Sequence, residues 1–163
     1  MTIKTFKLRI YPKGAQRVQI ERNFGVCRFV WNELLNMQIK RHDNGGKYVN
    51  EFGMDYLLKP FKKEYPWLKE ADATSLLVVS RNLHLAFQKL FKKHGGYPKF
   101  KAKRFARPAY QSNAVNDNIV LMDDNHIRLP KIGAVKFRSG QLPDGKIKSA
   151  TVARSSTNKY YIM

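Results

Sequence analysis

Between Lys89 and Arg107 the chain reads KLFKKHGGYPKFKAKRFAR, and the residue types here are suited to one chemical task. Eight cations stand in it, Lys89, Lys92, Lys93, Lys99, Lys101, Lys103, Arg104 and Arg107, with no carboxylate. Phe91, Tyr97, Phe100 and Phe105 are threaded between them. Cations alone can mark a solvated face. Rings interleaved with cations suit a polynucleotide, because phosphates attract positive charge and unpaired bases stack on flat apolar surfaces. The plainer alternative is a basic helix end followed by a loop whose aromatics return to the core.

Catalytic chemistry is harder to find. Metal-dependent nucleases bring two or three carboxylates together on their ions. Here Asp123 and Asp124 fall in a turn, where Asp is ordinary, and Glu70 and Asp72 precede a helix whose N-terminus they favour. His42, His84, His94 and His126 lie in four different elements without metal-ligand spacing. Cys27 sits on an apolar helical stripe as a small core residue, and Gly95-Gly96 lacks the rest of a phosphate loop. No catalytic residue, metal or cofactor is therefore expected in this chain. Tyr110-Gln111-Ser112-Asn113 and Asn116-Asp117-Asn118 read either as base or phosphate contacts or, more simply, as a polar loop leading into a hairpin.

The totals agree with a polyanionic partner. Lys and Arg number 31 against 12 Asp and Glu, a formal charge of +19 over 163 residues. Holding so much like charge together is destabilising unless an anion relieves it. A composition that is 43% hydrophobic and 12% aromatic folds rather than remaining disordered. No apolar run approaches a membrane-spanning length, and a lone cysteine excludes an internal disulfide. The lone cysteine fits a reducing cytoplasm, and neither a membrane nor a small-molecule substrate is expected.

These groups need elements to position them. Residues 2–10 alternate as a half-buried strand, and Tyr11-Pro12-Lys13-Gly14 stops it. From Ala15 to about His42 the period is helical, with Phe24, Cys27, Trp31 and Leu34 on one stripe and Gly25 interrupting. That predicts two helices, or one bent helix, meeting near Asn23–Gly25. Further helices are expected over Val49–Lys63, which Pro60 would shorten, and from Asp72–Thr74 to His94-Gly95-Gly96, with an aromatic hinge Tyr65-Pro66-Trp67-Leu68 between. Five short strands follow: Asn118–Met122, His126–Lys131, Ala134–Arg138, Lys146–Arg154 and Lys159–Met163. The economical packing is an α+β fold in which the first strand joins the last third as a small antiparallel barrel, with the helical bundle inserted. The expected division is 1–12 and 108–163 for the barrel, and 13–107 for the helices with their basic linker. Because the last strand stops at Met163 without a polar tail, a truncated longer protein is expected.

Several ordered strings resemble one family. Phe24-Gly25-Val26-Cys27-Arg28-Phe29-Val30-Trp31-Asn32 is similar to the FGxxRFVxN signature of TnpB proteins, also called OrfB, the transposon-encoded RNA-guided DNA nucleases. Arg9-Ile10-Tyr11-Pro12, Gly96-Tyr97-Pro98-Lys99-Phe100-Lys101 and Ile127-Arg128-Leu129-Pro130-Lys131-Ile132-Gly133 occur in the family's order. The resemblance covers essentially the whole chain. It implies a wedge-type β-barrel split around a recognition bundle, a guide RNA from the transposon end, and recognition of a short motif beside a double-stranded DNA target. It also implies motif-reading positions at Tyr48, Ala73, Thr74, Leu77, Val115 and Asn116. Ala73, Leu77 and Val115 are apolar where a reader would hydrogen-bond. The family's RuvC-like nuclease, with its Mg2+ site and zinc element, would begin beyond Met163, so the resemblance implies the recognition half without the cutting half.

The leading expectation is thus a nucleic-acid-binding part of a TnpB-like protein, without cleavage of its own. Its contacts would come from the eight cations with Tyr97 and Phe100, then Tyr48, Thr74, Tyr110 and Asn116, with Arg28, Arg41 and Lys62 weaker. The rival is a stand-alone helix-turn-helix repressor whose helix after Gly25 enters a DNA major groove.

Overall fold

The computed structural model describes residues 3–163. Alternating residues build a seven-stranded antiparallel sheet from β1 (Leu8–Tyr11), β2 (Ala109–Asn113), β3 (Val120–Asp123), β4 (His126–Leu129), β5 (Gly133–Arg138), β6 (Ser149–Arg154) and β7 (Tyr160–Ile162). The order across it is β2-β6-β7-β1-β5-β4-β3. The first strand lies at the centre, with Ile10 opposite Phe137 on one side and Tyr160 on the other. Leu8, Ile10, Ile127, Leu129, Val135, Phe137, Val152, Tyr160 and Ile162 are all buried on one face. The α+β class is as expected. The sheet is open rather than a closed barrel, because its edge strands β2 and β3 do not pair with each other.

One strand was hidden in polar residues. Ala109–Asn113, expected as a loop, pairs with β6 over five rungs from Ala109 opposite Ala153 to Asn113 opposite Ser149. Tyr110 and Ser112 turn into the core while Ala109, Gln111 and Asn113 are only half-buried.

Three α-helices and a short 3-10 helix make up the rest. The first, α1 (Gly14–Asp43), is one uninterrupted helix of 30 residues, so the break expected at Gly25 is absent. Gly25 takes no left-handed backbone conformation, and burial of Val26, Cys27, Val30, Trp31, Leu34 and Leu35 outweighs its poor propensity. The second helix, α2 (Glu51–Glu64), begins with the Asn50 side chain accepting from Gly53 N at 2.9 Å. Pro60 does not shorten it. Tyr56 and Pro60 are both exposed, so the carbonyl left without its helical donor meets water. The expected aromatic hinge is a 3-10 turn, Pro66–Glu70, with Leu68 buried. Helix α3 (Ala73–Phe91) is capped by Asp72, which accepts from Thr74 N at 3.1 Å.

Contacts divide the chain into two units. One combines the residues up to Phe24 with Arg107–Met163; the other is Gly25–Ala106. In the first unit the opening turns of α1 cover the apolar face of the sheet: Phe24 packs on Tyr110 at 5.7 Å, Gln16 donates to Ala134 O at 2.7 Å, and Glu21 accepts from Arg154 and from the Tyr160 hydroxyl, each at 3.1 Å. Burial and the Glu21 carboxylate push the Tyr160 pKa up. In the second unit the rest of α1 packs with α2, the 3-10 turn and α3, burying Met54, Leu58, Leu68, Leu76 and Leu83.

A methyl group at position 25 would make only an ordinary 3.7 Å contact with the Arg28 guanidinium. Gly25→Ala is therefore expected to raise unfolding free energy by about 0.5–1 kcal/mol in urea titration. A loss of stability would contradict an unbroken α1.

Candidate nucleic-acid interface

The helical unit holds most of the basic segment. Helix α3 ends with two reversed bonds, His94 N to Lys89 O at 2.8 Å and Lys93 N to Leu90 O at 3.0 Å, and Lys93 takes the left-handed conformation at φ 60°. Glycine normally fills such a position, because a side chain is strained there. Here the position carries a cation instead.

Beyond Gly96 the chain has no regular structure, yet it is strapped to α1. The Trp31 indole Nε1 donates to Lys99 O at 2.9 Å. Two residues on, the Asn32 side chain takes both backbone groups of Lys101: Nδ2 donates to its carbonyl at 2.8 Å, and Oδ1 accepts from its N–H at 2.7 Å. An amide side chain thus replaces a strand partner. Gln38 repeats the device at Val49, donating to its carbonyl at 2.6 Å and accepting from its N–H at 3.1 Å. A turn at Ala102, whose carbonyl accepts from Phe105 and Ala106, folds the next residues back.

The backbone is held, and the side chains face outward. All eight cations of the segment are exposed. Phe105 is 83% exposed, Phe100 55% and Tyr97 48%. Lys101 is the exception in kind: its ammonium lies over the Trp31 ring at 4.1 Å, and the loss of water there lowers its pKa. It fastens the strap more than it offers a charge. Arg104 lies over Phe105 at 5.6 Å. Tyr97 meets Phe87 edge-on at 5.6 Å, so its ring is fixed while half remains open.

The other expected contacts are placed as follows. Tyr48 is half-buried among His84, Phe87 and Phe91, its hydroxyl 2.9 Å from His84 Nδ1, and burial pushes its pKa up to about 12. Thr74 donates its hydroxyl to the Asp72 carboxylate at 3.0 Å, inside the α3 cap. Arg28 and Lys62 are half-buried, and Arg41 is exposed and donates to Lys47 O. Arg107, Tyr110 and Asn116 belong to the sheet unit. Asn116 is exposed with a left-handed backbone; Tyr110 is only 5% exposed against Phe24, so it offers no stacking face. The strap residues Trp31 and Asn32 escaped the sequence reading, since a helical Asn shows no sign of the distant backbone it will bind.

Among the described residues no group of three or more His, Cys, Asp or Glu could hold a metal ion. Cys27, buried beside Ser75 at 3.5 Å, has its thiol pKa pushed up to about 11 and is no nucleophile. No helix among the described residues is long and apolar enough to cross a membrane.

The chain thus combines a split antiparallel sheet, a helical unit inserted in sequence between its parts, and a strapped basic segment. Residues 1–47 match a family model described as a helix-turn-helix domain, of the IS605 OrfB kind. InsQ of Escherichia coli (strain K12), named as a candidate RNA-guided DNA endonuclease, is 32% identical over 98% of this chain and 39% of its own length. A Streptomyces pristinaespiralis protein with the same kind of name is 29% identical over 64% of this chain and 26% of its own. The virulence protein VsdF of Salmonella dublin is 32% identical over 62% of this chain and 94% of its own. The chain belongs to the TnpB (OrfB) family. It spans well under half of the two endonuclease-named relatives.

Asn32→Ala removes both bonds to Lys101 and is expected to destabilise the helical unit by about 1–2 kcal/mol. Limited trypsin digestion should then cut after Lys99 and Lys101 several-fold faster. Unchanged cleavage at those bonds would show that the strap does not depend on Asn32.

Proposed function

We propose that this chain is the nucleic-acid-binding part of a TnpB-like RNA-guided system, holding a guide RNA and the DNA duplex beside its target in the bacterial or archaeal cytoplasm. Lys99, Lys103 and Arg104 contact phosphates, and Phe100 and Tyr97 stack on unpaired bases. Lys89, Lys92, Lys93 and Arg107 add charge, and Asn116 is the exposed polar candidate for the motif. No cutting is assigned to its own residues, and it uses no cofactor. The observation that carries this reading is the carboxylate-free segment whose backbone is bound to α1 while its cations and rings stay exposed.

The repressor reading needs a helix with a free face after Gly25. No residue from Asn23 to Ile39 is fully exposed, and no turn separates two helices there. A groove-reading helix must present several side chains to base edges.

Salt-dependent binding of single-stranded RNA tests the proposal. Lys99→Gln/Lys103→Gln/Arg104→Gln should make the log–log salt slope shallower by about 2, at roughly 0.7 per phosphate contact. Phe100→Ala should leave the slope alone and weaken binding by about 1–3 kcal/mol. Affinity indifferent to salt in the unaltered chain would remove the electrostatic basis.

A further inference from the structure

A cavity of about 640 Å3 opens at one end of the sheet unit. Its floor is the apolar face of the sheet, where Leu8, Ile127 and Ile162 are buried. One wall is residues 4–6, leading into β1; the other is residues 146–150, leading into β6. Strand β7 lies between β6 and β1 in the sheet order and meets the cavity at Met163. The walls are therefore the two neighbours of β7, each continuing past the point where β7 reaches the cavity.

Both walls turn backbone groups into this space. Met163 and Thr151 exchange two backbone hydrogen bonds, each 2.9 Å. Residues of an antiparallel strand bond alternately to one side and the other, so Ile162 bonds to Leu8 on the β1 side. Phe6 and Lys4, two and four residues before Leu8, continue that direction. On the opposite wall Lys148 O accepts from Ala114 N at 2.9 Å, toward β2. The N–H and C=O groups of its neighbours Ile147 and Ser149 therefore turn the other way, toward the cavity. Among the described residues no backbone hydrogen bond engages Lys4, Phe6 or Ile147. A row of bare backbone groups is a template for another strand. The charge is lopsided as well. Lys4, Lys146 and Lys148 line the cavity with one carboxylate, Asp144, and none of the four is ion-paired among the described residues.

We propose that this cavity is a docking slot for an extended peptide strand of another polypeptide, which lies in line with β7, antiparallel to both walls, and fills the sheet between them. The register dictates what that strand carries. Ile162 stands opposite both Leu8 and Val152. Continued by the same count, the first inward position past Met163 falls between Phe6 and Ala150. The next inward position, two residues on, falls between Lys4 and Lys148. Apolar neighbours ask for an apolar side chain at the first, and two cations ask for Asp or Glu at the second. The recognised pattern is apolar, any residue, acidic. A small anion with an apolar tail could meet the lysines and the floor, but it would leave the backbone groups of both walls without partners. The slot does not depend on the nucleic-acid function proposed above.

The test titrates the whole chain into a dye-labelled peptide, Val-Thr-Glu-Thr-Val blocked at both ends, and reads fluorescence anisotropy. Lys in place of the peptide's Glu should weaken binding about tenfold, since two attractive cross-strand pairs become repulsive. Val-Thr-Thr-Glu-Val, with the same charge moved to the outward side, should lose about as much. A methyl group on the Glu amide nitrogen, which the register points at Lys4, should also cost about tenfold. Lys4→Glu/Lys148→Glu should reverse the preference, so that the Lys peptide binds better than the Glu peptide. Equal binding of all the peptides overturns the slot, leaving a general attraction of acids to a basic protein. Binding of a long-chain carboxylate without binding of the peptide overturns the strand. Self-association of the chain that the peptide reverses puts a second copy in the slot and overturns the commitment to another polypeptide. Should the double variant misfold, the peptide series on the unaltered chain decides alone.

Discussion

A chain with 31 cations and 12 carboxylates cannot pair its charges, and that shortage governs how its surface is built. Arg154 finds Glu21 and His126 finds Asp123. At five other cations a π-face stands where an anion could: Lys101 lies over Trp31, Lys7 over Tyr161, Arg9 and Arg138 over Tyr11, and Arg104 over Phe105. A ring face attracts a cation without neutralising it. Each such contact orients a charge and leaves its field intact, which suits a surface meant to meet a polyanion and is poor design for stability alone.

The same shortage explains why irregular segments are held through their backbones. A loop dense in cations cannot be pinned by ion pairs, and its exposed rings contribute little burial. Asn32 and Gln38 therefore bind main-chain groups of Lys101 and Val49, and the Trp31 indole binds Lys99 O. These bonds leave every side chain of the segment but Lys101 uncommitted to them. Lys93 extends the logic, since a strained left-handed residue keeps a cation where glycine would be easier.

Regular periodicity was legible in the sequence, and tertiary rescue was not. Val135 and Phe137 against Lys136 and Arg138, or Leu76 to Phe87 on α3, announce their elements because burial follows the period. Gly25 misleads because its local cost of about 1 kcal/mol is small beside the burial of the residues after it. Ala109–Asn113 misleads because AYQSN has a loop's composition and becomes a strand only where β6 supplies its ladder. The basic segment was visible from composition, whereas its strap depends on residues far apart in the chain.

The family model that matches residues 1–47 is described as a helix-turn-helix domain, yet in this chain that span contains β1 and one continuous helix reaching to Asp43. Continuity has a consequence for any reading of DNA by α1. The groove-reading helix of a helix-turn-helix protein is fixed at one side and free along the other. Here the stretch from Asn23 to Ile39 is buried or half-buried throughout, and two of its polar members, Asn32 and Gln38, are spent on the chain's own backbone. A helix so enclosed lacks the free face that a groove-reading helix presents. Around it, the groups left facing water are cations and rings, in the segment strapped to α1 and on the open face of the sheet.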